Sequence, residues 1–470
     1  MKSRNLLVFA LLVSIFLFAD EEPSLNGVVS LTVVPASSRP LDTRLEIEIP
    51  NLLVNGYFRE GEGLPPRGWF TYGGEKYGKS RHDARSIRLE GDSAKKTLAL
   101  RQNGLILLPG ETYRLSGYVR GGGFDGAMKG HIGVASANWS KTRAYFYTAK
   151  DIKEDWQYFE LVFSPDTSKS GEYESVVYRT GAGGGFMEVE RLILEPLSEL
   201  AKAKSRNRYA EDTFDENYAC AKAAGTFRSG PSSPEYKLVW QDEFDGPAID
   251  ESKWKIYDMY RNVSTRPYRL VPDCLSFDGE GHLLLTTRLA ADGKVEQPRI
   301  SSTGKKPFIR GYVECRFQLH DSDLVNASFW MLPEGHMDAR DPVNKGLEID
   351  IMECILPTLE TMSQTTHWYS TDPITKEKLS FSGGTRARRA PGLSQGWHTV
   401  ALEWTKTDLI FFINGVESWR LNEKEHPIPV NEHNIIFSFG AKNADVQALP
   451  NFSTTWKVDY VRLYQKPDDN

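Results

Sequence analysis

The chain has 470 residues, 40% apolar and 11% aromatic, which is enough to bury a sizeable core and to form two or three domains. Its 57 basic and 63 acidic residues leave a net charge of −6, which gives no global attraction for nucleic acid or for an anionic membrane. This composition excludes a chain that is disordered throughout.

The first residues have the layout of a secretory signal. Lys2 and Arg4 precede an apolar run from Leu6 to Ala19, and three acidic residues follow at once. The run is shorter than the roughly 20 residues that a transmembrane helix needs. We therefore predict a signal peptide over residues 1–19 and a secreted protein, extracellular or periplasmic, with a retained membrane anchor as the alternative.

Four cysteines, Cys220, Cys274, Cys315 and Cys354, fit an oxidising compartment but lack the spacing of metal ligands. Four cysteines allow three pairings. Cys274 with Cys315 is one guess among these, and nothing in the sequence selects it.

Residues 48–198 consist of short runs in which apolar and polar residues alternate. Thr112–Val119 and Trp156–Phe163 are examples, and clusters of Gly, Pro, Asp and Ser separate the runs. Helical periodicity of useful length is absent from this part of the sequence, so we predict a β-sandwich. It contains no acid pair spaced for catalysis, which suits a binding role.

Several of these runs resemble carbohydrate-binding modules of families 4 and 9: Asn51–Phe58, Pro66–Trp69, Ser86–Leu89, Tyr113–Val119, Trp156–Phe163 and Met187–Pro196. The resemblance implies a jelly roll that holds glycan chains against aromatic rings and amides. Candidates for ring stacking are Trp69, Tyr72, Tyr77 and Trp139, although Trp69 and Trp156 lie in motif strands, where core positions are favoured. A structural spacer without a ligand is the alternative.

A linker is predicted over residues 199–234. Leu200–Ala224 is rich in Ala, Lys, Arg and Glu and indicates a short helix, whereas the prolines and small residues of Ser229–Pro234 favour an extended, poorly packed connection. From residue 235 to residue 466 strand-like runs resume, and their length suits one large sandwich domain.

The stretch Gly346–Cys354 places Glu348, Asp350 and Glu353 where a strand should carry apolar side chains. Strand side chains alternate between faces, so Glu348 and Asp350 share one face and Glu353 points to the other. A β-bulge at Ile351–Met352 would return Glu353 to the first face.

Two glutamates flanking an aspartate in one groove supply what glycosidic hydrolysis needs: a nucleophile, a proton donor and a group that tunes them. A surface strand with scattered acids is the alternative. Against it, the alternation leaves Ile349, Ile351 and Ile355 for a core.

Six motifs in order resemble glycoside hydrolase family 16: Leu238–Gly246 with Trp254, Gly311–Phe317, Phe329–Pro333, Glu348–Glu353, Trp397–Trp404 and Val458–Tyr464. The E-x-D-x-x-E spacing is similar to the laminarinase, agarase and carrageenase branch. The resemblance implies a β-jelly roll with a cleft on its concave sheet. The predicted fold class is thus all-β, with two jelly-roll sandwich domains joined by a linker.

The same resemblance implies roles for the acidic residues. Glu348 would be the nucleophile, Glu353 the general acid/base, and Asp350 a partner that orients Glu348, with retention of anomeric configuration. We expect charge repulsion among the three carboxylates to raise at least one pKa, which suits Glu353 as the acid.

Substrate contacts are predicted at Trp330, His367, Trp368, Asn326 and Arg388. Trp330 can stack on a pyranose ring, with a core position between the sheets as its alternative, and His367 can bind sugar hydroxyls or be structural. Laminarinases of this branch usually carry a second tryptophan where this chain has Asn326.

Arg388 lies in the predicted basic loop Thr385–Gly392, which, with Arg266 and Arg269, is a candidate to pair with sulfate or carboxylate groups of a galactan. A solvated loop is the alternative.

No cofactor is expected. The resemblance also implies a structural calcium near the paired terminal strands, which would draw on the segment containing Asp459 and on the early strand near Glu243.

These observations predict a secreted, monomeric, retaining endo-β-glycanase that acts on a polysaccharide. The preferred candidate substrate is a β-1,3-glucan. A hydrolase of a galactan such as agarose, porphyran or carrageenan is the alternative of the same class. A transglycosylase and a non-catalytic β-glucan recognition protein stay open as well.

Overall fold

The computed structural model describes residues 28–39, 49–59, 68–72, 78–83, 85–91, 98–123, 129–136, 144–149, 152–165, 172–180, 185–207, 210, 212–261, 268–354, 359–372, 376, 378–442, 444–467 and 469. The predicted signal peptide lies outside these ranges. Within them, no helix has the length and apolar character required to cross a membrane.

The N-terminal domain is built from two packed sheets. Its strands are β1 (Val28–Pro35), β2 (Phe70–Tyr72), β3 (Gly78–Asp83), β4 (Ser86–Gly91), β5 (Leu98–Ile106), β6 (Tyr113–Gly122), β7 (Lys129–Ser136), β8 (Ala144–Ala149), β9 (Gln157–Phe163), β10 (Glu172–Thr180), β11 (Gly185–Pro196) and β12 (Arg206–Asn207). One sheet has the order β1-β9-β6-β11-β4-β3, and the other β12-β5-β10-β7-β8 with β2 beside β5.

The C-terminal domain is a larger sandwich. Its strands are β13 (Lys237–Asp242), β14 (Lys255–Ile256), β15 (Met259–Arg261), β16 (Tyr268–Leu270), β17 (Leu275–Phe277), β18 (Leu283–Leu289), β19 (Val295–Gln297), β20 (Arg299–Ser301), β21 (Gly311–Gln318), β22 (Val325–Pro333), β23 (Glu348–Glu353), β24 (Thr361–Thr371), β25 (Lys378–Arg389), β26 (His398–Trp404), β27 (Asp408–Ile413), β28 (Val416–Asn422), β29 (His433–Ala441) and β30 (Ser453–Gln465).

One sheet of this domain has the order β15-β16-β19-β18-β30-β21-β26-β27-β28, with β13 beside β30 and β17 beside β18. The other has the order β14-β20-β29-β22-β23-β24-β25. Alternation along β30 shows why these strands form a sandwich: Trp456 and Val458 are buried between the sheets, whereas Thr455 and Lys457 are partly exposed. The predicted all-β fold with two sandwich domains is confirmed.

The N-terminal domain begins earlier than residue 48. Strand β1 pairs antiparallel with β9 along Val28–Pro35, and it forms the edge of the first sheet. The predicted boundary missed this strand because the first motif that resembles a carbohydrate-binding module begins at Asn51.

The segment 199–234, predicted as a linker with a short helix in Leu200–Ala224, does contain helical structure, but it packs against the two domains instead of forming a free connection. Ser198 caps helix α1 (Glu199–Lys204) by accepting the Ala201 amide, and β12 adds to the second sheet of the N-terminal domain. Helix α2 (Phe214–Ala224) instead buries Phe214 and Tyr218 in the core of the C-terminal domain. Two aromatic residues one turn apart give this helix an apolar face.

The Pro- and Ser-rich end of this segment is also held in place. The Gly230 amide donates to Glu314 Oε2 at 2.7 Å, and Glu314 also accepts hydrogen bonds from the hydroxyls of Tyr460 and Tyr312. Burial raises the pKa of Glu314. A buried, hydrogen-bonded carboxylate therefore fixes a stretch that composition alone marked as loose.

All four cysteines carry free thiols. Cys220 is exposed on α2, and Cys274, Cys315 and Cys354 are buried. The guessed pairing of Cys274 with Cys315 is therefore wrong in this structure.

We expect Phe214→Ala to lower the free energy of unfolding of the C-terminal domain by about 3–5 kcal/mol, because it leaves a cavity where a 2% exposed ring packed. Chemical denaturation followed by tryptophan fluorescence measures this change. Cys220→Ala, on an exposed face of the same helix, should stay within about 0.5 kcal/mol of the parent. A Phe214→Ala protein that unfolds like the parent would place α2 outside the domain's cooperative unit.

Candidate active site

Within the stretch where it pairs with β22, strand β23 has one residue more than its partner. Asp350 lies opposite Trp330 and Met352 lies opposite Phe329, so Ile351 is the additional residue. The same shift appears on the other side of β23, where three steps of this strand match two steps of β24. The bulge predicted at Ile351–Met352 is confirmed.

The bulge turns Glu353 toward the face that carries Glu348 and Asp350. Glu353 Oε1 accepts a hydrogen bond from Asn326 Nδ2 at 3.0 Å, and Asn326 lies four residues before Trp330 on the same face of β22. The three carboxyl groups therefore share one surface of the seven-stranded sheet.

Glu348 is partly buried and lies near one hydroxyl and one positive charge. It accepts a hydrogen bond from the Tyr369 hydroxyl at 2.9 Å. Burial raises the pKa of Glu348 to about 7, while the Tyr369 hydrogen bond and the positive charge of Arg299 act in the opposite direction. The carboxyl thus ionises near neutral pH.

Glu353 is partly buried on the other side of the bulge. Burial raises the pKa of Glu353 to about 7, and the charge of Glu348 adds to this, whereas the Asn326 hydrogen bond and the charge of Lys442 lower it. Burial also lowers the pKa of Lys442, to about 8. Glu353 is therefore able to hold or release a proton around neutral pH.

Asp350 lies between the two glutamates and is only 4% exposed. Burial raises the pKa of Asp350 well above its usual range, and the charges of Glu353 and Glu348 raise it further. Repulsion was the predicted cause of raised pKa values, but burial is the larger one. His367 Nε2 lies 3.7 Å from Asp350 Oδ2, and burial lowers the pKa of His367 to about 4, so this histidine is neutral at pH 7.

Trp330 lies on the carboxylate face rather than between the sheets, where Phe329 and Met331 pack. Its indole Nε1 donates to Ser438 Oγ at 3.1 Å, and the Arg299 guanidinium lies 4.9 Å from the ring centroid. A position between the sheets is therefore not supported, although the ring is buried in a small apolar cluster with Leu332 and Ile436. Because the ring is only 4% exposed, its contact with a sugar stays a prediction.

Trp368 does not join the site. It points to the opposite face of β24 from His367 and Tyr369, and its ring lies 5.5 Å from His426 and 6.1 Å from Phe381. The predicted substrate contact at Trp368 is not supported, because the strand alternation directs this side chain away from the carboxylates.

Arg388 is also outside the site. The predicted loop is the end of β25, and Arg388 Nη1 lies 2.5 Å from Asp212 Oδ2, with its guanidinium over the Phe214 ring. The side chain is 7% exposed and anchors the segment before α2, so it is not available to an anionic glycan. Arg269 pairs with Asp292, and Arg266 lies outside the described residues.

Three site residues escaped prediction: Arg299, Tyr369 and Lys442. Tyr369 lies two residues after His367 on the same strand face, so the alternation of side chains along the strand could have identified it. Arg299 and Lys442 come from β20 and from the end of β29, and no local pattern marks them as neighbours of the acidic strand.

The residues expected to hold calcium do not fit that ion. Arg462 contacts both carboxyl oxygens of Glu243, and Arg316 pairs with Asp459. Carboxylates already neutralised by guanidinium groups are poor calcium ligands. A calcium site at these residues is therefore not supported.

In the N-terminal domain, Trp69 packs in the core, 5.3 Å from the Phe58 ring. Trp156 differs from the expected core position, since it is partly exposed beneath Arg120. Tyr77 and Trp139 lie outside the described residues, and only the backbone of Tyr72 is described.

Comparison with known proteins gives two family matches. Residues 276–462 match the model of glycosyl hydrolases family 16, and residues 50–175 match that of a carbohydrate binding domain. A β-glucanase of Rhodothermus marinus is 25% identical over 295 residues, which cover 57% of this chain and 98% of the relative. β-Porphyranase B of Zobellia galactanivorans is 25% identical over 218 residues, 42% of this chain and 73% of the relative.

Among solved structures, a laminarinase from Flavobacterium sp. UMI-01 aligns with a TM-score of 0.39 and 21% identity, covering 49% of this chain and 100% of that one. The family matches define a glycosidase whose N-terminal domain resembles a carbohydrate binding domain. More specifically, the C-terminal domain belongs to the glycosyl hydrolases of family 16.

The raised pKa of Asp350 makes stability depend on pH. Below the unfolded-state pKa of about 3.9 the residue is protonated in both states, and above it the folded state opposes ionisation. Stability is therefore lost as pH rises. We expect Asp350→Asn to be more stable than the parent at pH 8 by more than about 1 kcal/mol, with the gap shrinking toward pH 4.

Denaturant unfolding at several pH values measures this gap. Glu423→Gln, which alters an exposed carboxyl, is the control and should follow the parent at every pH. An Asp350→Asn protein that is less stable than the parent at pH 8 would mean that ionised Asp350 is well accommodated.

Proposed function

We propose that this glycosidase is a secreted, retaining endo-β-glycanase in which Glu348 is the nucleophile, Glu353 the general acid/base and Asp350 their positioning partner. One observation carries the proposal. The bulge at Ile351 places three carboxyls on one sheet face, where each glutamate has its own hydrogen-bond donor, Tyr369 or Asn326.

In the first step, an ionised Glu348 oxygen attacks the anomeric carbon while Glu353 gives its proton to the glycosidic oxygen, so the carbon–oxygen bond breaks and the leaving sugar departs. The Tyr369 hydrogen bond and the Arg299 charge favour the ionised form of Glu348. Asp350, whose pKa is the most strongly raised by burial, stays protonated and avoids a third negative charge.

In the second step, Glu353 takes a proton from water while the water oxygen bonds to the anomeric carbon, and the bond between this carbon and Glu348 breaks, which releases Glu348 as a carboxylate. The two inversions retain the configuration. Because the three carboxyls interact, the pH profile reports apparent pKa values of the cluster rather than of single residues. A second sugar in place of water would give transglycosylation by the same route.

A β-1,3-glucan is the proposed substrate. Similarity to proteins named β-glucanase and glucan endo-1,3-β-glucosidase A1 supports this choice. A galactan is the second candidate, supported by similarity to two β-porphyranases. Asn326 supports it as well, because the family resemblance implies a tryptophan at this position in laminarinases. A recognition protein without activity is disfavoured, since all three acids are present and clustered.

Secretion and a monomeric state belong to the proposal as well. The basic and apolar start of the chain supports export, and a carbohydrate binding domain suits an enzyme that meets polymeric glycans outside the cell. Binding of the same polymer by both domains would raise the local concentration of substrate at the cleft.

We expect Glu348→Gln to lower turnover by more than about 10³-fold while leaving glycan affinity within a few-fold, because the amide keeps the shape but cannot form the intermediate. Reducing-sugar release and affinity electrophoresis measure the two effects. Glu423→Gln is the surface control. Substantial turnover by Glu348→Gln would remove this residue from the nucleophile role.

A panel of laminarin, lichenan, agarose, porphyran and carrageenan identifies the substrate, and NMR of the first-formed product reports the configuration. We expect release from laminarin with a β-configured product. Release only from galactans would select the second candidate, an α-product would contradict retention, and no release from any glycan would favour a recognition protein.

A further inference from the structure

Asn326 contacts the proposed proton donor through one atom only. Its Nδ2 donates to Glu353 Oε1 at 3.0 Å, while its Oδ1 is buried and has no hydrogen-bond partner among the described residues. Gly440 lies opposite Asn326 on β29 and has no side chain. The Gln297 carboxamide packs over Gly440, and its Oε1 accepts a hydrogen bond from the Ala441 amide.

The unpaired Oδ1 shows what fixes the orientation of this amide. Reversing the amide would bring Oδ1 against a carboxylate oxygen and leave Nδ2 without an acceptor, which is the less favourable arrangement. In the observed orientation the N–H group of the amide donates to Glu353, while its carbonyl oxygen is buried without a hydrogen-bond partner among the described residues. The amide is therefore oriented by Glu353 rather than by its own strand neighbours.

We propose, on the basis of the function proposed above, that Asn326 is a positioning residue that determines which oxygen of Glu353 carries the catalytic proton. An oxygen that already accepts an N–H hydrogen bond is a poor site for a proton. With Oε1 engaged by Asn326, the proton resides on Oε2, from which it passes to the glycosidic oxygen as the bond to the anomeric carbon breaks. In the second step Oε2 recovers a proton from water.

The other groups around Glu353 do not set this choice of oxygen. Glu348 and Asp350 on its own strand and Lys442 from the end of β29 act on it through charge, and Ser363 lies opposite it on β24. Asn326 acts differently, because its Nδ2 donates a hydrogen bond to one defined oxygen of the Glu353 carboxyl group. Removing that donor should therefore raise the pKa of Glu353 and release its carboxyl group to rotate.

The test compares Asn326→Leu, which has a similar volume and no donor, with Asn326→Gln, which keeps a carboxamide. Two substrates are used: the polysaccharide that the parent cleaves, and the 2,4-dinitrophenyl β-glycoside of its oligosaccharide product. The dinitrophenolate leaves without protonation, so kcat/KM on this substrate does not need the acid.

For Asn326→Leu we expect kcat/KM on the polysaccharide to fall about 10-fold to 100-fold, and kcat/KM on the aryl glycoside to stay within about 3-fold. The basic limb of the pH profile should move to higher pH, because an acid with a raised pKa keeps its proton longer. Asn326→Gln should lie closer to the parent, and Ser328→Ala, on the same strand face, should leave the limb in place.

Equal losses on both substrates, or an unmoved basic limb in Asn326→Leu, would overturn the positioning role. Glu353→Ala is measured in parallel to separate this from a failure of the proposed function. If Glu353→Ala loses polysaccharide activity selectively while the Asn326 variants behave as the parent, only the inference fails. If Glu353→Ala keeps its polysaccharide activity, the acid assignment and the inference both fail.

Discussion

The β-bulge in β23 determines where the proposed proton donor points. If all six residues of β23 alternated regularly, without the bulge, Glu353 would lie on the face of the strand that packs into the core, where a carboxyl group has neither substrate nor solvent. The bulge is held from both sides, because β22 and β24 pair with β23 on either side of it. Catalytic geometry is therefore built into the centre of a sheet, which is more rigid than a loop.

Gathering acids on one buried face has an electrostatic cost that the surrounding residues only partly offset. Tyr369, Asn326, Arg299 and Lys442 lower the pKa values of the two glutamates, yet burial keeps both near 7. This is the range in which one carboxyl can attack and another can donate a proton at neutral pH. The same desolvation that tunes the chemistry works against the stability of the folded state.

The sequence allowed both sandwich domains and the acidic strand to be predicted, since alternation and the conflict of acids with a strand pattern are local signals. Trp368 was misplaced although the same alternation puts it opposite His367. Arg388 was misread because its partner, Asp212, lies 176 residues away in the chain. Arg299 could not be found for a similar reason, since only the pairing of β20 with β29 brings it beside Trp330.

The segment between the domains leaves little free chain. Asn207 is hydrogen-bonded to Gln102 in the N-terminal domain, and Asp212 is paired with Arg388 in the C-terminal one, so only residues 208–211 connect the two anchors. Such a short span reaches no more than about 17 Å when fully extended. Wherever the first domain attaches, the second is therefore held within this distance of it, measured between the two anchors.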